Sequence, residues 1–328
     1  MRFDRTAAAH RRRRGLGIAG LVLLTASPFA DATFSIVACD RDGSCGAAVA
    51  TNNLAVGASV PYARARVGAL VSQFETNPHY GPKGLALLAA GRAPDAALKA
   101  LLDGDDNFDA TTIAERQVGI VDAQGRSAVY TGSTAAKAAW AGAEHADGYA
   151  VQGNGLAGEA VLSAIRNTFL AARGTLAERL MAALEAGQDA GGQTTGKLSA
   201  ALIVRAPQGD WQDIDLRVDA SAEPLRDLRQ LLERRYALDA IIRAERQAKK
   251  GASTDARASL SEALRRSYGW DRIWRRGARL AMTLGDADRA MDCLGVFVSI
   301  NPAWAETELR DDIYRPLRER PLFQTWSR

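Results

Sequence analysis

The chain contains only three cysteines and three histidines among its 328 residues. No CxxC pair and no HExxH sequence occurs, so neither of these common metal-binding patterns is present. The GxSxG sequence that surrounds the nucleophile of many serine hydrolases is also absent. We therefore expect a protein with neither a metal ion nor an organic cofactor.

The first 32 residues are typical of a secretory signal peptide. Arg11–Arg14 form a basic segment, Gly15–Ala30 carries no charge, and Ala30-Asp31-Ala32 has the small-x-small pattern of a cleavage site. The uncharged run is shorter than the roughly 20 residues of a membrane-spanning helix, although an N-terminal anchor helix is the alternative. The arginines are compatible with Sec or twin-arginine export. We predict a periplasmic or secreted protein with no membrane span after processing.

The excess of positive charge belongs to this leader. Residues 1–32 contain six arginines and two aspartates, whereas the rest of the chain has 36 basic and 36 acidic residues. Nucleic-acid binding is therefore not indicated. Residues 33–222 carry a net charge of −5 and residues 223–328 one of +5, which favours docking between the two halves.

Two of the cysteines lie close together in the sequence. Cys39 and Cys45 flank an Asp-Gly turn between the apolar stretches TFSIVAC and CGAAVAT. A tight hairpin brings such residues opposite each other, and an oxidising compartment allows them to form a disulfide. Cys293 lies in an apolar helical pattern and is predicted to be a buried thiol.

Residues 33–222 alternate between strand and helix patterns and are predicted to form one α+β domain. Strands, two helices, strands, two helices and strands follow one another, which favours antiparallel sheets covered by helices. Within this order we expect one strand over residues 55–60 and another over 67–74, separated by Pro61.

Residues 223–328 are predicted to form a small all-α domain. Three small or apolar residues recur after 34 positions, namely Ala244, Ala256 and Leu260 as Ala278, Ala290 and Leu294. This spacing resembles the tetratricopeptide repeat, and an ordinary bundle of helical hairpins is the alternative. The region is a candidate surface for a protein partner, and a homo-oligomer is compatible with this organisation.

Cleavage after Ala32 would make Thr33 the first residue of the exported chain. A free α-amino group has a pKa near 7.7–8.0 and acts as a base around neutral pH. A threonine at a free N-terminus therefore carries a nucleophile and a general base in one residue.

Six segments together resemble one known family. They are TFSIVA (33–38), AVATNNLAVG (48–57), PYARARVGAL (61–70), TNPHYGPKGLALL (76–88), QVGIVDAQG (117–125) and VQGNGLAG (151–158). In this order they are similar to the family catalogued as domain of unknown function 1028, which is placed in the N-terminal-nucleophile (Ntn) hydrolase superfamily. The resemblance implies a four-layer αββα sandwich, with Thr33 as the nucleophile.

Four further residues are candidates for the site around Thr33. Asn154 is expected to offer a side-chain amide to a developing oxyanion, and Gln73 and Asn77 follow or end a predicted strand. Arg64 is expected to lower the pKa of the amine or to bind a substrate carboxylate. For Asn77 the alternative is a role in the turn before Pro78.

These residues lead to two hypotheses. The first is an exported amidohydrolase that acts on a small amide or peptide. The second is a binding protein on the same scaffold, which recognises a partner through residues 223–328.

Overall fold

A computed structural model describes residues 32–209 and 213–327 of the chain. Of the predicted leader it describes Ala32 only, so the basic segment, the uncharged run and most of the cleavage site lie outside the described residues.

The described residues form ten strands in two antiparallel sheets. The strands are β1 (Thr33–Cys39), β2 (Cys45–Thr51), β3 (Pro61–Arg64), β4 (Gly68–Phe74), β5 (Arg116–Asp122), β6 (Ser127–Thr131), β7 (Gly142–Ala146), β8 (Tyr149–Asn154), β9 (Ser199–Arg205) and β10 (Ile214–Val218). One sheet has the order β10-β9-β2-β1-β8-β7 and the other β3-β4-β5-β6. We call them the six-stranded and the four-stranded sheet.

Ten α-helices accompany the sheets in the described part of the chain. They are α1 (Tyr80–Ala89), α2 (Pro94–Asp103), α3 (Glu159–Ala171), α4 (Leu176–Asp189), α5 (Pro224–Lys249), α6 (Ser253–Arg266), α7 (Asp271–Thr283), α8 (Ala287–Ile300), α9 (Pro302–Glu308) and α10 (Pro321–Trp326). None of these helices combines the length and the apolar character that crossing a bilayer requires.

The two sheets face each other and helices cover their outer faces. Along β1, Phe34 and Ile36 point towards α3 and α4, whereas Val37 points into the space between the sheets, because successive side chains of a strand alternate. On the four-stranded sheet, Leu70 and Ile120 point outwards and pack against α1 and α2. The layers therefore follow the order helix, sheet, sheet, helix.

Helix α5 belongs to two hydrophobic cores. Its first turns place Leu225, Leu228 and Leu232 against the six-stranded sheet and α4. Its later turns place Ala240 and Ala244 in the core of the C-terminal helices. At about 1.5 Å per residue, its 26 residues span roughly 39 Å, so one continuous helix connects the sandwich to the helical region.

The segment before β3 differs from the expectation. Residues 55–60 were expected to form a strand, but Val56–Ala58 form a 3₁₀ turn. Ala55 enters that turn with a φ of 54°, in the left-handed region that ends extended structure. Strand β3 then begins at Pro61, where proline is tolerated because this strand lies at the edge of its sheet.

Cys39 and Cys45 are joined in a disulfide at the turn between β1 and β2. The two residues are also directly paired in the strand register, with their Cα atoms 4.1 Å apart. The third cysteine, Cys293, is a buried free thiol, and burial raises its pKa to about 12. The disulfide therefore ties the two strands together at the end opposite to Thr33.

We predict that the double variant Cys39→Ala/Cys45→Ala lowers the free energy of unfolding by about 2 kcal/mol, because a short closed loop restricts the unfolded chain. Urea unfolding of the exported protein, followed by circular dichroism, measures the loss. A reductant should destabilise the wild type by a similar amount and leave the double variant unchanged. A wild type that does not respond to the reductant would contradict the prediction.

Candidate functional site

Strand pairing places Thr33 between two polar neighbours. It lies opposite Thr51 on β2 and opposite Asn154 on β8. Its backbone N–H donates to Asn154 Oδ1 at 3.2 Å, and its Oγ1 lies 3.1 Å from Thr51 Oγ1. The Thr51 hydroxyl donates its single proton to the carbonyl oxygen of Ala32 at 2.8 Å. Thr33 is therefore the donor in the bond between the two hydroxyls.

A chain of buried amides and a hydroxyl continues from this point into the space between the sheets. Ser35 is paired with Gln152 across β1 and β8, and Gln73 with Gln117 across β4 and β5. Gln152 Nε2 donates to Ser35 Oγ at 2.6 Å, and Ser35 Oγ donates to Gln73 Oε1 at 2.5 Å. Gln73 Nε2 donates to Gln117 Oε1 at 2.8 Å. All four side chains are fully buried.

Gln117 determines which way the Asn154 amide faces. Asn154 Nδ2 donates to Gln117 Oε1 at 2.8 Å, while Gln117 Nε2 donates to the carbonyl oxygen of Gly153 at 3.0 Å. With its nitrogen committed to Gln117, Asn154 presents its oxygen to the backbone nitrogen of Thr33. The network therefore holds a hydrogen-bond acceptor against that nitrogen.

The close approach of Gln152 to β5 requires a glycine. A Cβ atom at Gly119 would lie 1.8 Å from Gln152 Oε1. That oxygen is buried and has no hydrogen-bond partner among the described residues. An unpaired buried acceptor is destabilising, and its presence indicates that the arrangement of the amides is not optimised for stability alone.

A cavity of about 280 Å³ lies against Thr33. Its polar lining consists of hydroxyl and amide side chains, from Thr33, Thr51, Asn53, Ser59, Gln73 and Thr76. Its apolar lining comes from Leu54, Val56, Val60 and Phe74. Phe74 has a φ of 65°, a conformation that is uncommon for residues other than glycine and that clusters at functional sites.

The cavity is free of ionisable side chains. None of its ten lining residues is Asp, Glu, His, Lys, Arg, Cys or Tyr. Elsewhere in the described ranges, no three His, Cys, Asp or Glu side chains come together in a way that would hold a metal ion. The groups available for chemistry beside this cavity are therefore hydroxyls, amides and backbone atoms.

Ala32 occupies the space next to Thr33 on the side of β8. It is 1% exposed, and a Cβ atom at Gly155 would lie 2.7 Å from its Cβ. Gly155 also has a φ of 60°, which favours glycine. Removal of the leader would vacate this space and would release the Thr51 proton that the Ala32 carbonyl holds.

The structure brings two of the four further candidates to Thr33. Gln73 Nε2 approaches the carbonyl oxygen of Thr33 at 3.4 Å, and Asn154 contacts its nitrogen. Asn154 differs from the expectation in one respect: we expected its amide N–H to face an oxyanion, but that nitrogen is bound to Gln117.

Asn77 belongs to a different arrangement. Its amide nitrogen donates to Asp106 at 2.8 Å, and side-chain hydrogen bonds from Asn77 and His79 lower the pKa of Asp106 to about 2. The neighbouring Asp105 pairs with the fully buried Arg116. Asn77 therefore fastens the loop after α2, which corrects the expectation that it serves the catalytic site.

Arg64 lies far from Thr33 along the four-stranded sheet. It is exposed and is paired with Gly68 at the start of β4, whereas Gln73 lies five residues further along that strand. At about 3.4 Å per residue this separation is roughly 17 Å. Arg64 therefore lies outside the candidate site.

Four members of the site were not anticipated from the sequence: Thr51, Ser35, Gln117 and Gln152. A signal for them exists, because each is a polar residue at an inward-facing position of a strand that also places small or apolar residues on that face. Alternation along a strand identifies such positions, but only once the inward face is known.

A larger groove, of about 940 Å³, lies between the turn after β1, the start of α4, and helices α5 and α6. Several of its charged side chains pair with one another: Arg266 binds Glu178 at 3.0 Å and Arg243 binds Glu262 at 2.5 Å. The groove contains neither Thr33 nor a member of the buried amide network, and we place no site there.

Fold and site together define a mixed α+β protein in which two antiparallel sheets enclose a buried polar network and a helical region follows. The chain belongs to the family of unknown function DUF1028, whose model matches residues 33–228. The crystal structure of protein SPO2555 from Silicibacter pomeroyi, also of family DUF1028, is similar with 32% sequence identity. That match covers 62% of this chain and 85% of the other, with a TM-score of 0.55. No curated protein matches the chain.

We predict that Gln117→Leu lowers the free energy of unfolding by about 3 kcal/mol, because it removes the acceptor that the buried side-chain nitrogens of Asn154 and Gln73 share. Urea unfolding measures the change. Gln124→Leu, the same substitution at an exposed turn position, should stay within about 0.5 kcal/mol of the wild type. Equal stability of the two variants would show that the buried network does not depend on Gln117.

Proposed function

We propose that this chain is an Ntn hydrolase that cleaves an amide bond in a small amide or peptide, with Thr33 as the nucleophile after removal of residues 1–32. The observation that carries the proposal is the position of Thr33, whose nitrogen and hydroxyl both contact polar partners beside a cavity. The order helix, sheet, sheet, helix agrees with the αββα sandwich of that superfamily. The proposed reaction requires no cofactor.

In the first half of the reaction the Thr33 Oγ attacks the carbonyl carbon of the substrate. The α-amino group of Thr33 takes the hydroxyl proton and delivers it to the departing amine of the substrate. The carbon–nitrogen bond breaks and an ester with Thr33 Oγ remains. In the second half, water attacks this ester, the same amino group accepts the proton of the water, and the carboxylic acid leaves as the hydroxyl of Thr33 is restored.

Two neighbours support this chemistry. Asn154 Oδ1 accepts a hydrogen bond from the nitrogen of Thr33 and would hold the free amine with its lone pair towards the hydroxyl. Thr51 donates to the carbonyl oxygen of Ala32, which leaves with the leader, and the released proton would then be available to the substrate's oxygen. Donors that face the developing oxyanion contribute on the order of 100-fold in rate.

Burial of the cleavage site bears on how the leader is removed. Ala32 is enclosed by Thr51 and Gly155, so a peptidase would reach the Ala32–Thr33 bond most readily before the sandwich closes. This favours Sec export, in which the chain crosses the membrane unfolded, over the twin-arginine route. The disulfide between Cys39 and Cys45 suits a periplasmic or extracellular location.

The helical region supports a second candidate function, the binding of a partner. The repeated residues Ala244, Ala256, Leu260, Ala278, Ala290 and Leu294 are all buried, which suits a tetratricopeptide-like module. A cavity of about 480 Å³ between α5 and α7 has Lys249 and Arg272 at its edge, both exposed. Within the described residues neither of them pairs with a carboxylate. This surface fits an anionic segment of a partner protein, and such binding would not depend on Thr33.

We predict that Thr33→Ala abolishes hydrolysis of an amide library by the exported protein and that Thr33→Ser retains a substantial fraction, because serine keeps both the hydroxyl and the amine. Intact mass and N-terminal sequencing establish that the purified chain begins at residue 33. The control is a chain with one additional alanine before Thr33, which keeps the hydroxyl and displaces the amine. Full activity of that extended chain or of Thr33→Ala would rule out the mechanism, whereas a wild type that hydrolyses no member of the library would favour the binding role.

We predict that Asn154→Asp moves the acidic limb of the pH profile of kcat/KM to higher pH by about one unit or more. A carboxylate in contact with the amine stabilises its protonated form and raises its pKa, so a higher pH is needed to obtain the free base.

Asn52→Asp, at the exposed position that follows Thr51 in the sequence, serves as the control for this change. Thermal unfolding shows whether each variant is folded. A limb that stays in place in a folded Asn154→Asp protein would mean that the amine of Thr33 is not the base.

A further inference from the structure

The cavity beside Thr33 offers hydrogen bonds without offering charge. Its volume of about 280 Å³ lies near the lower end of the range for ligand pockets, about 300–1,000 Å³, so its ligand is small. Charged residues close in the sequence are kept out of it: Glu75 lies between Phe74 and Thr76, yet only its two neighbours line the cavity.

Two lining side chains at the mouth of the cavity have hydrogen-bonding capacity to spare. The Asn53 side-chain amide and the Ser59 hydroxyl make no hydrogen bond within the described residues, whereas the Thr76 hydroxyl donates to the backbone of Ser72 at 3.2 Å. An amide and a hydroxyl both donate and accept. Both side chains can therefore donate a hydrogen bond to a neutral polar group on the ligand or accept one from it.

A charged group on the ligand would bind less favourably in the same cavity. Transfer of an ion from water into a confined site is strongly unfavourable unless an opposite charge meets it. In the reactive form of the proposed enzyme the Thr33 amine is the neutral base, and no lining side chain is a cation or an anion. A carboxylate or an ammonium group on the acyl part would therefore lose hydration without gaining a partner. The cavity therefore discriminates by charge rather than by size alone.

We infer that this cavity selects substrates whose acyl part bears a neutral polar group, such as a carboxamide or a hydroxyl, and rejects acyl parts that carry a charge. This inference rests on the proposed function, because it assigns the acyl side of the proposed substrate to the cavity next to Thr33 Oγ.

The experiment compares the anilides of N-acetylasparagine and N-acetylaspartate, which have nearly the same shape and differ by one negative charge. Hydrolysis by the exported protein is followed by release of aniline, and kcat/KM is measured for both. We expect the asparagine compound to be preferred by about 100-fold, the effect of an unmatched charge of moderate burial. Equal values, or a preference for the aspartate compound, would overturn the inference.

A charge introduced into the lining should reverse the selectivity. Asn53→Asp places a carboxylate at the mouth of the cavity, so the anilide of N-acetyl-2,4-diaminobutyrate, which carries a short cationic side chain, should gain about tenfold relative to the asparagine compound. Asn52→Asp is the matched control, because the Asn52 side chain binds the backbone of Thr195 at 2.9 Å and does not line the cavity. A gain of the same size in both variants would overturn the inference, since it would reflect the overall charge only.

Binding separates this inference from the proposed function. In the Thr33→Ala protein, isothermal titration compares N-acetylasparagine amide with N-acetylaspartate amide at a pH above the pKa of the N-terminal amine, so that this amine carries no charge. Tighter binding of the neutral amide supports the charge selectivity, even if the wild type hydrolyses neither anilide. Absence of hydrolysis would then contradict the proposed function and leave the charge selectivity standing. Equal affinity for the two amides, or tighter binding of the charged one, overturns the selectivity even if Thr33-dependent hydrolysis is found.

Discussion

The pairing register of β1 with its two neighbours is the constraint on which the site depends. That register places Thr33 between Thr51 and Asn154. A slip by one residue would turn every side chain of β1 to the opposite face and would move Thr33 from the space between the sheets to the helical side. The disulfide of Cys39 with Cys45 holds the same register at the other end of β1 and β2.

The buried amides show that stability and function make different demands on the interior between the sheets. One end of this interior is filled by Val37, Val71, Val121 and other apolar residues. The other end contains fully buried amides such as Gln117 and Gln152, although apolar residues would fill the same space without the need for hydrogen bonds. The network gives the partners of Thr33 fixed orientations, which is the preorganisation that the proposed acyl transfer would require.

Helix α5 shows why the region that the family model matches and the helical region are structurally coupled. The match ends at residue 228, inside this helix, and the same helix contributes to both hydrophobic cores. Ion pairs strengthen the connection, since Arg229 of α5 binds Glu185 of α4 at 2.5 Å and Arg266 of α6 binds Glu178 at 3.0 Å. The same helix therefore anchors the C-terminal helices to the sandwich.

Local patterns in the sequence determined the mixed sheet and helix character of residues 33–222 and the helical character of the C-terminal region. They also determined the proximity of Cys39 to Cys45. Strand alternation, helical periodicity and a short turn each act over few residues, which is why the sequence alone was sufficient for these features. Only the tertiary structure decided that Asn154 and Gln117 meet beside Thr33 while Arg64 and Asn77 lie elsewhere. These contacts join strands from distant parts of the chain and from both sheets, and the packing of one sheet on the other is set by the whole interior rather than by the residues that flank any single strand.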